Sequence, residues 1–303
     1  MRSEAGPELP WLAYGSLAAS MAVVGAYVGF SKLLVAVFPV FLLAWLRFAI
    51  AAVAMWPWLA RRNGEEPLSP RNRRLLFWES FLGNFCFSIC MLYGVLHTSA
   101  LAAGVVMATI PAAVALLSWL FLRERIGGRT WTAIVLAVAG TGMLAGAKAQ
   151  GGVPPAPWWG YALLLAAVLC EASYVVIGKR LTGQVSPQRI SALINLWGLA
   201  LITPLGLWQA LSFDFREVSL PIWALLVVYA LAASVLTVWL WMRGLLAVPA
   251  GRAGVFTVFL PATAAVVGVV FLNEAFTSLH ALAFALALAG VLVATWPSAG
   301  KPG

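Results

Sequence analysis

The stretch GVLHTSALAAGVVMATIPAAVALLSWLFLRERIGGRTWTAIVLAVAGTGML, residues Gly94 to Leu144, is written twice in this chain. Laid without a gap on Gly244 to Ala294, it pairs Gly94 with Gly244, Gly104 with Gly254, Pro111 with Pro261, Glu124 with Glu274 and Gly140 with Gly290. About a third of the aligned positions are identical, and the glycines and prolines stay in step, which a chance match would not preserve. The segments ahead of the two copies echo each other as well, with Trp11, Tyr14, Tyr27 and Lys32 falling on Trp158, Tyr161, Tyr174 and Lys179. The chain is therefore read as two halves of one design, residues 1–147 and 158–303, joined by the Gly- and Pro-rich linker 148–157.

Of 303 residues, 63% are hydrophobic and 10% charged, against about 25% charged in soluble domains. Such a chain belongs in a lipid bilayer. Its net charge of +9 is spread over short gaps between apolar runs, so it reads as a topology signal and not as a nucleic-acid footprint. The first apolar run is long enough to span, and no cleavable signal peptide is expected. Cys86, Cys90 and Cys170 lie inside apolar segments without zinc-ligand spacing. They are expected to be free thiols, with no metal and no cofactor.

Helices need about 20 apolar residues to cross roughly 30 Å of hydrocarbon. Ten such runs are expected, roughly Trp11 to Val35, Pro39 to Leu59, Leu75 to Leu96, Leu101 to Leu122, Thr130 to Gly146, Trp158 to Gly178, Ile190 to Ala210, Pro221 to Met242, Arg252 to Leu272 and Leu279 to Trp296. They are called spans one to ten below. With the N-terminus inside, the inner gaps hold Arg61, Arg62, Arg71, Arg73, Arg74, Arg123, Arg125, Arg129, Lys179, Arg180, Arg189, Arg243 and Arg252. The outer gaps hold Lys32, Lys148 and Arg216. This positive-inside bias puts both termini in the cytoplasm. An odd number of helices per half turns the second copy upside down. The expected fold is an all-α integral membrane protein of ten transmembrane helices in two inverted five-helix repeats, the layout of many secondary transporters.

The inventory for chemistry is thin: two histidines, His97 and His280, and one aspartate, Asp214, in a loop. No HExxH helix, GxSxG elbow or Walker A sequence is present, so neither an enzyme nor an ATP-driven pump is expected. The informative residues are charges within spans, which insertion data put at about 2.5 to 3.5 kcal/mol for Asp, Lys or Arg at mid-bilayer. Arg47, Glu79 and Glu171 qualify.

Glu171 lies near the middle of span six, with Tyr174 extending its face. It can bind a substrate ammonium or a coupling proton, or it can tie helices together as a hydrogen-bonded acid. Glu79 opens a stripe on span three, with Gly83, Cys86, Cys90, Tyr93 and His97 at alternating steps of four and three. That stripe suits a wet cavity or a close helix contact equally, and Glu79 can also snorkel to the inner surface. Span one offers Ser16, Ser20, Tyr27 and Ser31, and span seven Ser191, Asn195 and Gly198. Arg47, in mid-span two, has Asn195 as its repeat partner, so the halves differ in charge there. It either contacts substrate or pairs with groups of neighbouring helices. Tyr229 and Trp239 in span eight are candidates for stacking or cation–π contacts, or for packing against lipid. Pro111 and Pro261 each follow an Ala-Gly-Val triplet, and each is expected to kink its helix as a static bend or as a hinge.

At these residues the chain resembles the EamA-type members of the drug/metabolite transporter superfamily. The carriers of the resemblance are the duplicated ten-span layout, Arg47, the AGV stretch before Pro111, the Leu122 to Glu124 ending of span four and Gly140, repeated at Pro261, Leu272 to Glu274 and Gly290. The resemblance implies an inner-membrane secondary carrier, usually an exporter of small metabolites such as amino acids or their derivatives. It also implies a cavity bounded by spans one to four and six to nine, with Pro111 and Pro261 as hinges and Glu124 and Glu274 as scaffold groups. Glu171 stands where an aromatic residue commonly precedes the alanine, which suggests a substrate with an additional amine, such as an amino-acid-derived metallophore, or an exchangeable proton. The expected partners are the bilayer, a small-molecule substrate and protons, with a monomer or homodimer as the assembly. A passive channel and a non-transporting membrane scaffold are the alternatives.

Overall fold

A computed structural model gives the fold, and it describes residues 10–61, 67–122, 128, 131–132, 135–136, 139–140, 143, 156–181, 185–247, 256 and 259–295. The described chain is all-helical. Span one is Pro10–Val35, span two Val40–Ala54 and span three Pro70–His97, while span four is split into Ala100–Met107 and Ile110–Leu122. Span six is Trp158–Leu181 and span seven Pro187–Ala210. Span eight runs through Leu220–Leu231, Ala232–Leu236 and Thr237–Ala247. Span nine is Phe259–Phe271 and span ten Ser278–Thr295. The expected fifth span and the linker fall mostly outside the described residues. Among the described residues, four helices, Trp11–Val35, Pro70–His97, Gln188–Ala210 and Leu220–Trp241, are long and apolar enough to cross a bilayer.

Local chemistry moves several expected boundaries. Span three begins at Pro70, not Leu75, because the Ser69 hydroxyl accepts from the Asn72 amide at 3.2 Å and a proline suits the first helical turn. Residues 70–74, expected in a polar loop, are therefore helical. Span seven likewise opens on Ser186-Pro187. Span two stops at Ala54, and Trp56–Leu59 winds as a 3-10 turn, because Pro57 has no amide hydrogen to continue the α-helical ladder.

The halves interlock. Span one lies against spans eight and nine, and its repeat partner, span six, lies against spans three and four. Spans two and seven pair with each other, as do four and nine. Every pairing is matched by its repeat counterpart, so the principal contacts run between halves and not within them. Lipid tails are as apolar as leucine, and helix association in a bilayer therefore depends on close van der Waals fit at small residues. The duplicated glycines supply it. A Cβ on Gly94 would lie 2.7 Å from the Leu164 side chain, and one on Gly244 would lie 2.5 Å from that of Leu17, Leu164's repeat partner. Phe38, Phe48, Leu42, Leu43, Met91 and Leu101 fill the main core between these helices.

Candidate functional site

Arg47 is the centre of the polar interior. It projects from mid-span two with 5% of its surface exposed. Its Nη1 donates to Ser234 Oγ of span eight at 3.2 Å, and its Nη2 donates to Ser88 Oγ of span three at 2.6 Å. One serine from each half therefore holds the guanidinium, and among the described residues no carboxylate is bonded to it. Its Nε, also buried, has no hydrogen-bond partner. Its hydrogen bonds go to neutral hydroxyls and its Cζ lies 4.1 Å over the Phe48 ring, partners that leave the positive charge open to an anionic acceptor.

Two tyrosines stand beside it. Tyr27 of span one and Tyr229 of span eight stack with ring centroids 4.7 Å apart, and both are buried. Tyr229 Oη lacks a partner. The repeat places Tyr174 opposite Tyr27 and Glu79 opposite Tyr229. The corresponding place is built the same way, again from both halves: the Tyr174 ring lies on Gly83, one turn along span three from Glu79. Glu79 is 1% exposed, and its Oε2 has no partner. Asn195, the counterpart of Arg47, donates from Nδ2 to the Phe48 carbonyl at 3.0 Å and leaves Oδ1 unpartnered. The unpartnered atoms thus differ in kind between the two places. Near Arg47 they are an N–H and a phenol, and near Glu79 and Asn195 they are acceptor oxygens.

Sequence reasoning missed one feature of this region. Spans three and eight each contain a π-helical segment, Phe81–Cys86 and Ala232–Leu236, at equivalent places in the repeat. A π segment puts an extra residue into a turn and often marks a functional site. Each segment carries a small polar residue that bonds the other half. Ser234 accepts from Arg47, and Asn84, its repeat partner, donates from Nδ2 to the Ile194 carbonyl at 2.9 Å. Ser80 donates to that same carbonyl at 2.6 Å. The signal available in sequence was the alignment of Asn84 with Ser234 inside otherwise apolar runs.

The remaining candidates distribute as follows. Glu171 is half-buried on span six, one turn from Tyr174. The span-three stripe faces span six: Gly83 meets Tyr174, and the His97 and Trp159 rings lie tilted against each other with centroids 4.2 Å apart. Tyr93 is half-buried, in edge contact with Phe41. Trp239 is 43% exposed, away from the buried core. Span four breaks at Ala108 and Thr109, just ahead of Pro111, which has no amide to bond the Met107 carbonyl. The Thr109 amide and hydroxyl both turn to the Val106 carbonyl, at 3.0 and 2.7 Å. Pro261 is buried in the first turn of Phe259–Phe271, and the two residues before that helix lie outside the described residues. No three of the described His, Cys, Asp and Glu residues gather as metal ligands.

One cation expected in an outer loop is placed differently. Lys32 lies in the last turn of span one and donates from Nζ to the carbonyls of Val95 at 2.7 Å, Leu96 at 3.1 Å and Thr98 at 2.5 Å, at the end of span three. Beside it, the Glu274 carboxylate accepts from the amides of Ala100 at 2.8 Å and Leu101 at 2.9 Å, the first turn of span four. A cation at a helix C-terminus and an anion at a helix N-terminus are both favourable positions against the helix dipole.

The duplicated layout has a counterpart among known proteins. The model of the EamA-like transporter family matches residues 11–146 and again 158–296. The chain belongs to the EamA-like transporter family. Within that family's range, it is 39% identical over 284 residues to the uncharacterized transporter YetK of Bacillus subtilis (strain 168), covering 93% of this chain and 86% of that one. It is 29% identical over 218 residues to the uncharacterized transporter YwfM of the same organism, covering 69% of this chain and 71% of that one. A solved crystal structure shares the fold with a TM-score of 0.64 at 19% identity, covering 92% of this chain and 94% of the other. The EamA-like chain is a multi-pass membrane transporter.

Proposed function

We propose that this transporter exports a small amino-acid-like or amino-acid-derived zwitterion from the cytoplasm across a bacterial-type inner membrane. Its two inverted halves give alternating access to a midplane site around Arg47. The observation that carries this reading is the Arg47 guanidinium, buried at the junction of the halves, bonded to neutral serines from each and left with an unpartnered Nε. A charge is retained at that depth where it meets a ligand or a pathway. Arg47 attracts a carboxylate, Tyr27 and Tyr229 border it, and Glu171 receives a substrate ammonium or a coupling proton. One zwitterion then engages both signs of charge.

Inversion of the halves draws support from two contacts. The end of span nine reaches the start of span four through Glu274, and Leu42 near the start of span two donates its amide to Gln209 near the end of span seven at 2.9 Å. Both pairs are therefore antiparallel. Both termini are placed in the cytoplasm, from the lysine and arginine count. Reporter tags after spans four and nine should then appear on opposite faces, and a common face would remove the inverted layout.

Reconstituted protein preloaded with unlabelled amino acids or amino-acid-derived chelators should accumulate a labelled member of that panel by counterflow. Conductance without saturation or counterflow would replace the carrier with a channel. Glu171→Gln is expected to change the rate or its pH dependence, and if both stay the same Glu171 has no part in the mechanism.

A further inference from the structure

Spans one and nine are seated on each other more closely than an extra methyl allows. A Cβ on Gly29 would lie 2.5 Å from Val267 Cγ1, and one on Gly25 would overlap the Leu260 carbonyl. The Phe30 and Phe271 rings close the same seam at 5.4 Å. The two helices thus form one unit, with one member from each half. That unit ends in two oppositely charged side chains, Lys32 and Glu274, and both grip the turn between spans three and four. Lys32 takes three carbonyls at the end of span three, and Glu274 takes two amides at the start of span four. The turn between these grips, His97 to Ser99, is held on its other side by span six, where Gly160 sits against Thr98 and His97.

We propose that Lys32 and Glu274 are a charge latch that fastens the span one–nine unit to the span three–four turn, and that releasing it opens this end of the bundle to the Arg47 centre. The reading rests on the carrier function above. Its geometry is that of a separable contact. The side chains reach backbone groups of another rigid body, and each set of backbone groups lies at a helix end, where water can satisfy it once the latch parts. A permanent joint would be expected in the apolar seam, as it is at Gly25 and Gly29. The sequence repeats both charges, Lys179 for Lys32 and Glu124 for Glu274.

The test is a distance across the latch in the full-length protein in lipid, without substrate. Spin labels at Val37, exposed just after span one, and at Trp158, exposed at the start of span six, report the separation once the three native cysteines are replaced by alanine. The unaltered latch should give one narrow distribution. Glu274→Gln and Lys32→Met should each add a population longer by roughly 5 Å, the scale of a one-turn displacement. The double variant should add no more than either single change, and Lys32→Arg, which keeps the charge and its donors, should restore the narrow distribution. An unchanged distribution in folded, monodisperse Glu274→Gln protein would overturn the latch, and so would lower thermal stability with no change in distance. Should Glu274→Gln fail to fold, Lys32→Met and Lys32→Arg decide between the same outcomes. Counterflow measured on these proteins reports separately on the carrier reading, so the two can fail independently.

Discussion

Two places in the molecule occupy equivalent positions in the repeat and share a backbone plan, yet carry opposite polarity. On one side Tyr27 of span one meets Tyr229 of span eight beside Arg47. On the other Tyr174 of span six lies near Glu79 of span three, with Asn195 in the place of arginine. The scaffolding is common to both: a π segment, a small polar residue bonding the other half, and a glycine that seats a leucine. Duplication thus supplied the frame, and later divergence supplied the sign of charge. A symmetric frame can be approached from either face, while an asymmetric pair of sites can orient a cargo with unlike ends.

The comparison breaks most sharply at Arg47→Asn, which makes the two places alike at that position. Folding should survive, since asparagine already occupies the equivalent site, but transport at limiting substrate should fall roughly 10- to 150-fold, as loss of a charged hydrogen bond worth roughly 1.5–3 kcal/mol implies. Counterflow rates check this, and a loss below about threefold would remove Arg47 from substrate contact. Next come the shared positions, which should respond in parallel. Gly94→Ala and Gly244→Ala each force a methyl against a leucine and should each destabilise the fold by about 1–3 kcal/mol, read by thermal unfolding in detergent. A large difference between the two would show that the halves no longer carry equal structural loads.

Glu79→Gln keeps the shape and removes the ionisable group. About tenfold slower transport with an altered dependence on coupling cation would sharpen the contrast of sign, and wild-type behaviour would reduce Glu79 to a filler. The smallest effect is expected at Ser88→Ala, where Arg47 loses one neutral acceptor and keeps Ser234. Roughly a two- to fivefold loss, about 0.5–1 kcal/mol, is expected in the same counterflow assay.

Much of this site was legible before any coordinates. Arg47, Glu79 and Glu171 stand out because a charge inside an apolar run is costly whatever surrounds it, and Asn195 was found by laying one half on the other. The π segments were not legible, since one extra residue in a turn leaves no mark in local hydropathy. Lys32 was misread as a loop cation because its partners lie more than sixty residues away, at Val95, Leu96 and Thr98. The span-three stripe was legible as a stripe, but its two readings could not be separated until Gly83 was found under Tyr174.

By itself the sequence determined the helices, their duplication and the location of the costly side chains, because backbone satisfaction in lipid and 3.6-residue periodicity are local properties of the chain. The tertiary structure alone decided who meets whom: that Arg47 is held by serines of both halves, that Tyr27 faces Tyr229, and that Lys32 and Glu274 grip the turn between spans three and four. Those pairings depend on how two equivalent bundles interlock, and in a bilayer that choice is made by the close fit of small residues and by directional hydrogen bonds, neither of which local pattern encodes.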